Sequence, residues 1–316
     1  MQQKRVTIFG GSGFIGRYVV ELLADQGAII TVAVRDIEKA KFLKPLGQVG
    51  QITPIKINAR NKADMEKAVK NADIVINLIG ILYNQGQQTF KNMHSNVPET
   101  LARLSTEAGV DNLLQVSAIG ANKSALSEYL RTKGEGEKVI REHFPKAIII
   151  RPSVIFGPED KFFNLFGSLS RLLPILPLYG YGKTLFQPVY VKDVASAIVS
   201  ALSNTSAIGK TYEIGGPHIY SYTDLMKIIL NNTRRRCLLL PVPFQFGEMQ
   251  GRIMGLFPKP LLTYDQILSL KSDNVVGLGA FNLSNLGIEP TAVETIVPTY
   301  LSRYKKGGRL GRTSID

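Results

Sequence analysis

Cysteine is almost absent from this sequence of 316 residues, in which Cys237 is the single one. One cysteine excludes an internal disulfide and any metal cluster built from cysteines. Histidine is also scarce, and the three present (His94, His143 and His218) lack the spacing of metal ligands. We therefore expect no metal site in this protein.

Long apolar runs are missing as well. No stretch of about 18 residues is apolar and free of charge and proline, so we expect no membrane-spanning helix. The first predicted strand begins by Arg5, which leaves no room before it for a signal or transit peptide. These observations predict a cytoplasmic protein, either free or peripheral at the cytoplasmic face of the inner membrane.

Acidic residues are few compared with basic ones. The sequence contains 25 Asp and Glu against 38 Lys and Arg, which gives a net charge of +13. Such an excess favours an anionic partner, such as a nucleotide, a nucleic acid or a membrane surface. Two clusters carry part of the charge, TRRRC (233–237) and RYKKGGRLGR (303–312), although each alone is typical of solvated surface. No nucleic acid is expected as a partner, because the aromatic residues are not interleaved with the basic runs.

Glycine is plentiful where the first predicted strand ends. The stretch RVTIFGGSGFIGRYVVELLADQGAIITVAV predicts a buried strand, a glycine-rich turn, an amphipathic helix and a second strand. Glycines let the backbone approach a pyrophosphate closely, and the helix N-terminus offers free N–H groups to phosphate. In this context the pattern predicts a dinucleotide site formed by Gly10, Gly11, Ser12, Gly13, Phe14, Ile15 and Gly16.

The end of the second predicted strand indicates which dinucleotide is bound. NAD-binding folds usually place an acidic residue there, which accepts a hydrogen bond from the ribose 2′-hydroxyl. Here that place is Val34, and the next residue is Arg35. A guanidinium without the carboxylate favours a 2′-phosphate, and therefore NADP(H) over NAD(H). We expect Asp36 to point away from the ribose and Lys39 to add a second positive charge.

The rest of the sequence alternates between predicted strands and helices. Continuous apolar runs at 52–58, 72–80, 112–120 and 147–157 are typical of strands buried on both faces of a parallel sheet. This pattern predicts an α/β fold, a Rossmann-type doubly wound parallel sheet, with a smaller and mostly helical C-terminal lobe. The predicted nucleotide-binding domain is 1–157, with 188–216 returning to it, and the predicted lobe consists of 158–187 and 217–316.

Two YxxxK patterns occur, Tyr129 with Lys133 and Tyr179 with Lys183. On a helix this spacing brings both side chains to one face, where the lysine can lower the pKa of the tyrosine and make it a proton donor. The second pattern lies among glycine and proline, which is not typical of a helix. We therefore expect only Tyr129 and Lys133 to form a functional pair.

The motifs taken together resemble a known family. The glycine turn, the first YxxxK pair and the segments NVPETLARLSTEAGVDNLLQVSAIG, IIIRPSVIFGPED, QPVYVKDVASAI and TYEIGGP occur in the order found in extended and atypical short-chain dehydrogenases/reductases. More narrowly, the stretch YLRTKGEGEKVIREHFPKAIIIRPSVIFGPEDKFFNLF with QPVYVKDV is similar to the NADPH-binding accessory subunit of respiratory complex I and to its bacterial relatives.

The resemblance implies roles for individual residues. In the family the tyrosine exchanges a proton with the substrate oxygen and the lysine bonds the nicotinamide ribose, and these roles fall on Tyr129 and Lys133. The family's serine or threonine, which polarises the same oxygen, falls on Ala118, a residue without a hydrogen-bonding side chain. Its neighbour Ser117 would replace it only with a local kink of the strand. Besides Lys133, the resemblance implies further nucleotide contacts at Asn58, Leu78 and Pro152.

Two functions therefore stay open. One is an NADP(H)-holding accessory or assembly subunit associated with complex I, in which the nucleotide is structural. The alternative is a soluble NADP-dependent oxidoreductase, epimerase or dehydratase that uses Tyr129 as acid and base. The missing serine at Ala118, the net charge and the basic tail favour the subunit, while the intact pair favours the enzyme.

Two other features carry expectations. The segment FQFGEMQGRIMGLFPKPLL (244–262) mixes aromatic and aliphatic residues at a helical spacing, which is more typical of a lobe core than of a membrane surface. Beside the basic tail, an anionic membrane surface stays an alternative for it. Arg151, which precedes Pro152 at a predicted strand end, is expected to point toward the nucleotide site.

Overall fold

The computed structural model of the protein describes residues 1–306, so the basic cluster 303–312 lies outside the described residues from 307 onward. The chain forms two compact units. The first unit consists of Met1–Pro152, Val191–Ile214 and Leu278–Glu289. The second unit consists of Ser153–Tyr190, Gly215–Gly277 and the chain from Pro290 onward.

Strands and helices alternate along the first part of the chain. In order they are β1 (Arg5–Phe9), α1 (Phe14–Asp25), β2 (Ile29–Val34), β3 (Ile52–Lys56), α2 (Lys62–Val69), β4 (Ile74–Asn77), α3 (Val97–Glu107), β5 (Asn112–Val116), α4 (Glu128–His143) and β6 (Ile148–Pro152). A 3₁₀ helix (Glu38–Leu46) follows β2, and a π-helix (Asn92–Asn96) leads directly into α3.

Short strands and several helices follow. They are β7 (Ile155–Phe156), α5 (Phe162–Leu172), β8 (Ile175–Tyr179), β9 (Leu185–Phe186), β10 (Val189–Tyr190), α6 (Val191–Ser203), β11 (Thr211–Ile214), β12 (Tyr220–Ser221), α7 (Tyr222–Thr233), β13 (Leu238–Val242), α8 (Phe244–Met254), α9 (Tyr264–Ser269) and α10 (Val293–Leu301).

The first unit is built on a seven-stranded sheet in the order β11-β6-β5-β4-β1-β2-β3. All neighbouring strands in it run parallel. The central strands are apolar on both faces, as β4 is buried at every position, because helices cover the sheet on both sides. The predicted Rossmann-type doubly wound sheet is thereby confirmed.

The second unit has its own apolar core and three two-stranded sheets, which pair β10 with β7, β12 with β9 and β13 with β8. Its core gathers aromatic and aliphatic side chains from α5, α7 and α10, among them Phe163, Tyr222, Leu225, Val297 and Tyr300. The helices α5, α7 and α10 thus supply most of that core.

The compact units differ from the predicted domain bounds at one place in particular. Residues 278–289, which the sequence assigned to the C-terminal lobe, belong to the first unit. The reason is a strand-like contact that periodicity does not reveal. The N–H of Glu213 donates to the carbonyl oxygen of Phe281 at 2.8 Å, and the rings of Tyr212 and Phe281 lie 5.6 Å apart.

The expectation that segment 244–262 forms lobe core is wrong for one face of α8. Phe246, Met249 and Ile253 are 61%, 56% and 57% exposed, although they recur at helical spacing. Gly247 and Gly251 are instead the buried residues of this helix. Among the helices of residues 1–306, none is long and apolar enough to cross a membrane.

Candidate nucleotide-binding site

The turn between β1 and α1 has a shape that requires glycine. Gly10 has a φ of +81°, which L side chains rarely adopt, and the N–H of Gly13 donates back to its carbonyl oxygen at 3.0 Å. A Cβ on Gly16 would collide with the carbonyl oxygen of Gly11. The helix therefore approaches the turn as closely as backbone allows, which is the packing expected under a pyrophosphate.

The N-terminus of α1 is suited to an anion. Within the described chain, no side chain caps this helix at Gly13, and no acidic residue occupies its first turn. Its first N–H groups and the positive end of its dipole are therefore available to a phosphate. Ser12, Phe14 and Ile15 flank this N-terminus and are half-buried. These residues fit a dinucleotide at this turn.

The other predicted nucleotide contacts lie at the same edge of the sheet. Because all strands of the sheet run parallel, their carboxyl ends meet at one edge, where ligands of such folds bind. Leu78 directly follows β4, and its N–H donates to the carbonyl oxygen of Phe9 at 2.9 Å, beside the glycine turn. The remaining residues of this edge are Arg35 after β2, Asn58 after β3, Ser117 after β5 and Pro152 at the end of β6.

The two charged residues that follow β2, Arg35 and Asp36, have different surroundings. Arg35 is exposed directly beyond the strand end. Asp36 is engaged locally, since its Oδ1 accepts from the N–H groups of Glu38 and Lys39 at 3.1 and 3.4 Å. These backbone hydrogen bonds, that of Lys39 first, hold the pKa of Asp36 below its usual value. Asp36 therefore accepts from the first N–H groups of the following 3₁₀ helix.

Helix α4 carries Tyr129 and Lys133 and packs very closely on its neighbours. It begins after Ser127, whose hydroxyl accepts from the N–H of Leu130 at 3.3 Å. A Cβ on Gly136 would collide with the carbonyl oxygen of His94, so the π-helix touches the backbone of α4 there. This contact fixes the position of α4 along its axis and its rotation, and therefore the direction of the face that carries Tyr129 and Lys133.

Lys133 is buried, with only 4% of its surface exposed. Its Nζ donates to the carbonyl oxygen of Val116, the last residue of β5, at 3.1 Å. Burial lowers the pKa of Lys133 to about 8, and the nearby carboxylate of Glu137 opposes that shift. At neutral pH the ammonium form therefore still prevails, close to the point where the proton is lost.

Tyr129 is held in an aromatic cluster that the sequence did not predict. Its ring meets His94 edge-on at 5.2 Å and Phe90 at 5.9 Å, and Phe90 stacks on His94 at 5.5 Å. A π-helix carries His94, and such helices occur frequently at functional sites. A π-helix has no simple apolar period, so this cluster left no signal in the sequence.

His94 is a buried imidazole with both nitrogens engaged. Its Nε2 accepts from the N–H of Ile81 at 3.1 Å, and its Nδ1 lies 3.3 Å from the hydroxyl of Thr132 on α4. Burial first, and then the charge of Lys133, lower the pKa of His94 to about 2. His94 is therefore neutral, and it ties the segment after β4 to the helix that carries Tyr129.

Among the described residues after β5, none places a polar side chain at the position of the family serine. Ala118 is buried at that place. Ser117 is 3% exposed, and no described residue gives its hydroxyl a hydrogen-bond partner. Ser117 as a catalytic residue stays a prediction.

Arg151 does not extend toward the nucleotide edge as a free charge. Its Nε and Nη2 donate to the two carboxylate oxygens of Glu137 at 2.9 and 2.6 Å, and its Nη1 donates to Glu213 at 3.1 Å. Strand β11, which pairs with β6 so that Glu213 lies beside Arg151, supplies the second carboxylate. The expected ligand contact is thus replaced by a partly buried ion network.

Comparisons with known proteins identify the families to which this part of the chain is similar. The family described as NAD(P)H-binding matches residues 10–164, and the RmlD substrate binding domain matches residues 119–246. The chain therefore contains an NAD(P)-binding domain. Among solved structures, the dTDP-glucose 4,6-dehydratase DesIV of Streptomyces venezuelae, with NAD and TYD bound, has a TM-score of 0.71 at 18% identity, over 95% of this chain and 96% of that chain.

Several relatives match along almost the whole chain. NADH dehydrogenase (ubiquinone) 1 alpha subcomplex subunit 9, mitochondrial, of Mus musculus is 38% identical over 302 residues, 95% of this chain and 80% of the mouse protein. The Arabidopsis thaliana protein of the same name is 34% identical over 314 residues, 96% of this chain and 78% of the plant protein.

Proposed function

We propose, since this chain belongs to the family of NADH dehydrogenase (ubiquinone) 1 alpha subcomplex subunit 9, that it holds NADP(H) as a structural ligand within complex I or its assembly. The observation that carries the proposal is the likeness to named subunits over about the whole chain, at 38% identity for the mouse protein. Ala118 supports it, because losing one hydrogen-bond donor to the reacting oxygen typically costs catalysis about 2.7–4 kcal/mol.

A nucleotide bound without turnover stabilises the folded chain by mass action. The residues that would hold it are the glycine turn, the first turn of α1 and Lys133. Their roles are to bind phosphate with backbone N–H groups and to donate from the buried ammonium to a ribose hydroxyl.

Native electrophoresis of detergent-solubilised membranes tests this proposal at the normal expression level of the protein. We expect the chain to migrate with complex I activity, as a protein peripheral at the cytoplasmic face of the inner membrane. Recovery only in the soluble fraction, away from complex I, would contradict it.

A second function is favoured by one specific observation, the intact Tyr129 and Lys133 on a helix that begins with a capped turn. In that case the chain is an NADP-dependent oxidoreductase, epimerase or dehydratase, and Tyr129 exchanges the proton. Substrate-dependent oxidation of NADPH that the Tyr129→Phe variant abolishes would establish this alternative.

The preference for NADP over NAD rests on the segment after β2. Arg35 is exposed beyond the strand end, while Asp36 is occupied with the N–H groups of the next helix. Arg17 adds a second guanidinium near this segment, since it lies 4.9 Å over the ring of Phe42 in the same 3₁₀ helix. Both favour a 2′-phosphate over a 2′-hydroxyl.

Calorimetric titration with NADPH and NADH tests this preference. Because a charged hydrogen bond contributes about 1.5–3 kcal/mol, Arg35→Ala should weaken NADPH binding by at least about tenfold and leave NADH binding unchanged. An equal loss for both nucleotides, or none for NADPH, would contradict the assignment. Arg103→Ala, at an exposed arginine on α3 of the first unit, is the matched control.

An anionic membrane surface is the further partner that we propose, and a patch of the second unit supports it. The basic cluster at 233–237 and residues 303–306 lie together, since Nε of Arg235 donates to the carbonyl oxygen of Tyr304 at 3.1 Å. Cys237 adjoins the end of α5, where its Sγ donates to the carbonyl oxygen of Leu173 at 3.2 Å. Basic side chains thus gather where β13 begins.

Apolar side chains are exposed beside these charges. Leu238 and Ile175 are paired neighbours on β13 and β8, and they are 63% and 43% exposed. Leu172, which directly follows Arg171, is 77% exposed. We call the exposed residues Arg171, Leu172, Leu173, Ile175, Arg234, Arg236 and Leu238 the basic-apolar patch. Apolar contact and positive charge together favour an anionic lipid surface.

Vesicle sedimentation tests the patch. The wild-type chain should bind phosphatidylcholine vesicles that contain phosphatidylglycerol, and binding should fall at high salt. The Arg234→Glu/Arg236→Glu variant should bind several-fold less, since each basic residue near the surface contributes about 1 kcal/mol. Equal binding of the two proteins to these vesicles would contradict the role of the patch. So would equal binding of the wild type to neutral and to anionic vesicles.

A further inference from the structure

Glu137 is a buried carboxylate on the helix face that carries Lys133. It lies one helical turn beyond Lys133 on α4, and it is 8% exposed. Two hydrogen bonds from Arg151, at 2.9 and 2.6 Å, fix the plane of its carboxylate. Such a side-on bidentate pair restricts the carboxylate to one orientation.

Arg151 is itself held from its other side. Glu213 on β11 accepts from its Nη1 at 3.1 Å, and the side chain of Arg151 is 25% exposed. The hydrogen bonds of both carboxylates, that of Glu137 first, raise the pKa of Arg151. The orientation of Glu137 is therefore determined by two neighbouring strands of the central sheet.

Lys133 needs a counter-charge more than an exposed lysine does. The acceptor of its ammonium hydrogen bond is the uncharged carbonyl oxygen of Val116. Burial disfavours the charged form of an amine, and an opposite charge nearby restores it. Glu137 is the group whose charge raises the pKa of Lys133 against the effect of burial.

Besides Glu137, other titratable groups lie on the helices around Lys133. His94 on the π-helix is neutral, and the charge of Lys133 itself helps to keep it so. Tyr129 lies one turn before Lys133 on the same helix. Arg141, one turn beyond Glu137, is cationic, and burial lowers its pKa.

We propose that Glu137, oriented by Arg151, is a positioning residue that keeps Lys133 in the ammonium form with which it holds the nucleotide. The effect on nucleotide binding rests on the proposed function, whereas the charge state of Lys133 does not.

The first test measures that charge state without nucleotide. Protein labelled with ¹³C at lysine Cε is titrated by NMR in the wild type and in Glu137→Gln, and the Lys133 signal is identified by its absence in Lys133→Arg. The midpoint of the Lys133 signal should move to lower pH in Glu137→Gln. Glu142→Gln, which removes the same charge from an exposed pair with Lys138 on the same helix, should leave it in place. Equal midpoints in all three proteins would overturn the proposal.

The second test measures NADPH binding at pH 7.5. Loss of a nearby opposite charge lowers an amine's pKa by about one or more, so Glu137→Gln should weaken binding by about threefold or more and Glu142→Gln should not. If the wild type does not bind NADPH, the proposed function fails, while the NMR titration still decides the present proposal.

A triple replacement covers the case in which Glu137→Gln does not fold. Replacing a whole buried ion pair or triad by apolar residues of similar volume is often neutral for stability. In Glu137→Met/Arg151→Met/Glu213→Met, which replaces all three charged partners and removes one net negative charge, the Lys133 midpoint should again lie at lower pH than in the wild type. A midpoint at or above the wild-type value would overturn the proposal.

Discussion

The two YxxxK pairs share one spacing and have opposite surroundings. Tyr129 and Lys133 lie on one face of α4, where Lys133 is 4% exposed. Tyr179 ends strand β8, and the chain then turns through Gly180–Gly182, where Tyr181 has a φ of +59°. Lys183 is exposed beyond that turn, so no helix brings it to the face of Tyr179.

The chemistry of the two tyrosines follows from this difference. The hydroxyl of Tyr179 donates to the side-chain oxygen of Gln250 at 2.5 Å, and burial raises the pKa of Tyr179 to about 12. A tyrosine of that kind is a poor proton donor at neutral pH. Tyr129 instead lies one turn from a buried ammonium. Spacing alone therefore does not define the pair; burial of the lysine on a shared helix face does.

The largest expected effect concerns the close packing of α4, the helix that carries the first pair. The second pair lies on no such helix. Gly→Ala normally stabilises a helix by about 1 kcal/mol, but the added methyl group of Gly136→Ala meets the carbonyl oxygen of His94. We therefore expect the opposite sign, a loss of about 2–4 kcal/mol in the free energy of unfolding, measured with urea. Glu135→Ala on the same helix is the control and should change it by less than about 0.5 kcal/mol. A stabilised Gly136→Ala variant would show that the close contact does not exist.

The next largest effect is a loss of stability in acid, and it depends on His94, the buried imidazole beside Tyr129. The pKa of His94 is about 2 in the folded protein and about 6.5 in an unfolded chain, so only the unfolded chain gains this proton between those values. Stability should therefore fall as pH falls below 6.5, by about 1.4 kcal/mol per pH unit from this residue. Urea unfolding at pH 6.5, 5.5 and 4.5 should show a smaller slope in His94→Asn.

The control for this slope is His218→Asn, since His218 is exposed in the second unit. It should keep the wild-type dependence on pH. If His94→Asn keeps the wild-type slope as well, the buried imidazole is not the group that acid titrates.

The smallest effect is expected from Tyr129→Phe. If the site holds the nucleotide without turnover, loss of the phenolic hydroxyl should change NADPH affinity by no more than about two- to tenfold, since a neutral hydrogen bond contributes about 0.5–1.5 kcal/mol. Migration with complex I in native electrophoresis should also be unchanged. Loss of function with folding and NADPH binding preserved would instead support the enzyme.

The parts of this architecture that sequence reasoning reaches are those encoded locally. The glycine turn, the strand before it and the helix after it are neighbours in the chain, and their order alone predicts the parallel sheet. The failure of Tyr179 and Lys183 to form a helical pair is equally local, because glycine and proline surround them.

The remaining features depend on contacts between distant residues. His94 meets Tyr129 through a π-helix without an apolar period. Arg151 meets Glu213 because β6 pairs with β11, and it meets Glu137 on helix α4. The exposed face of α8, with Phe246, Met249 and Ile253, shows the same limit, since apolar residues at helical spacing do not predict which face is buried. Residues 278–289 joined the first unit through a contact that no motif marks.

The comparison between the two pairs is tested most directly by one calorimetric titration with NADPH on Lys133→Met and Lys183→Met. Lys133→Met removes a buried ammonium without leaving the carbonyl oxygen of Val116 unpaired, since Nε2 of Gln115 also donates to it at 2.8 Å. We predict a loss of about tenfold or more in NADPH affinity for Lys133→Met, from one charged hydrogen bond, and an unchanged affinity for Lys183→Met. Equal affinities of the wild type and both variants would contradict the assignment of Lys133 to the nucleotide.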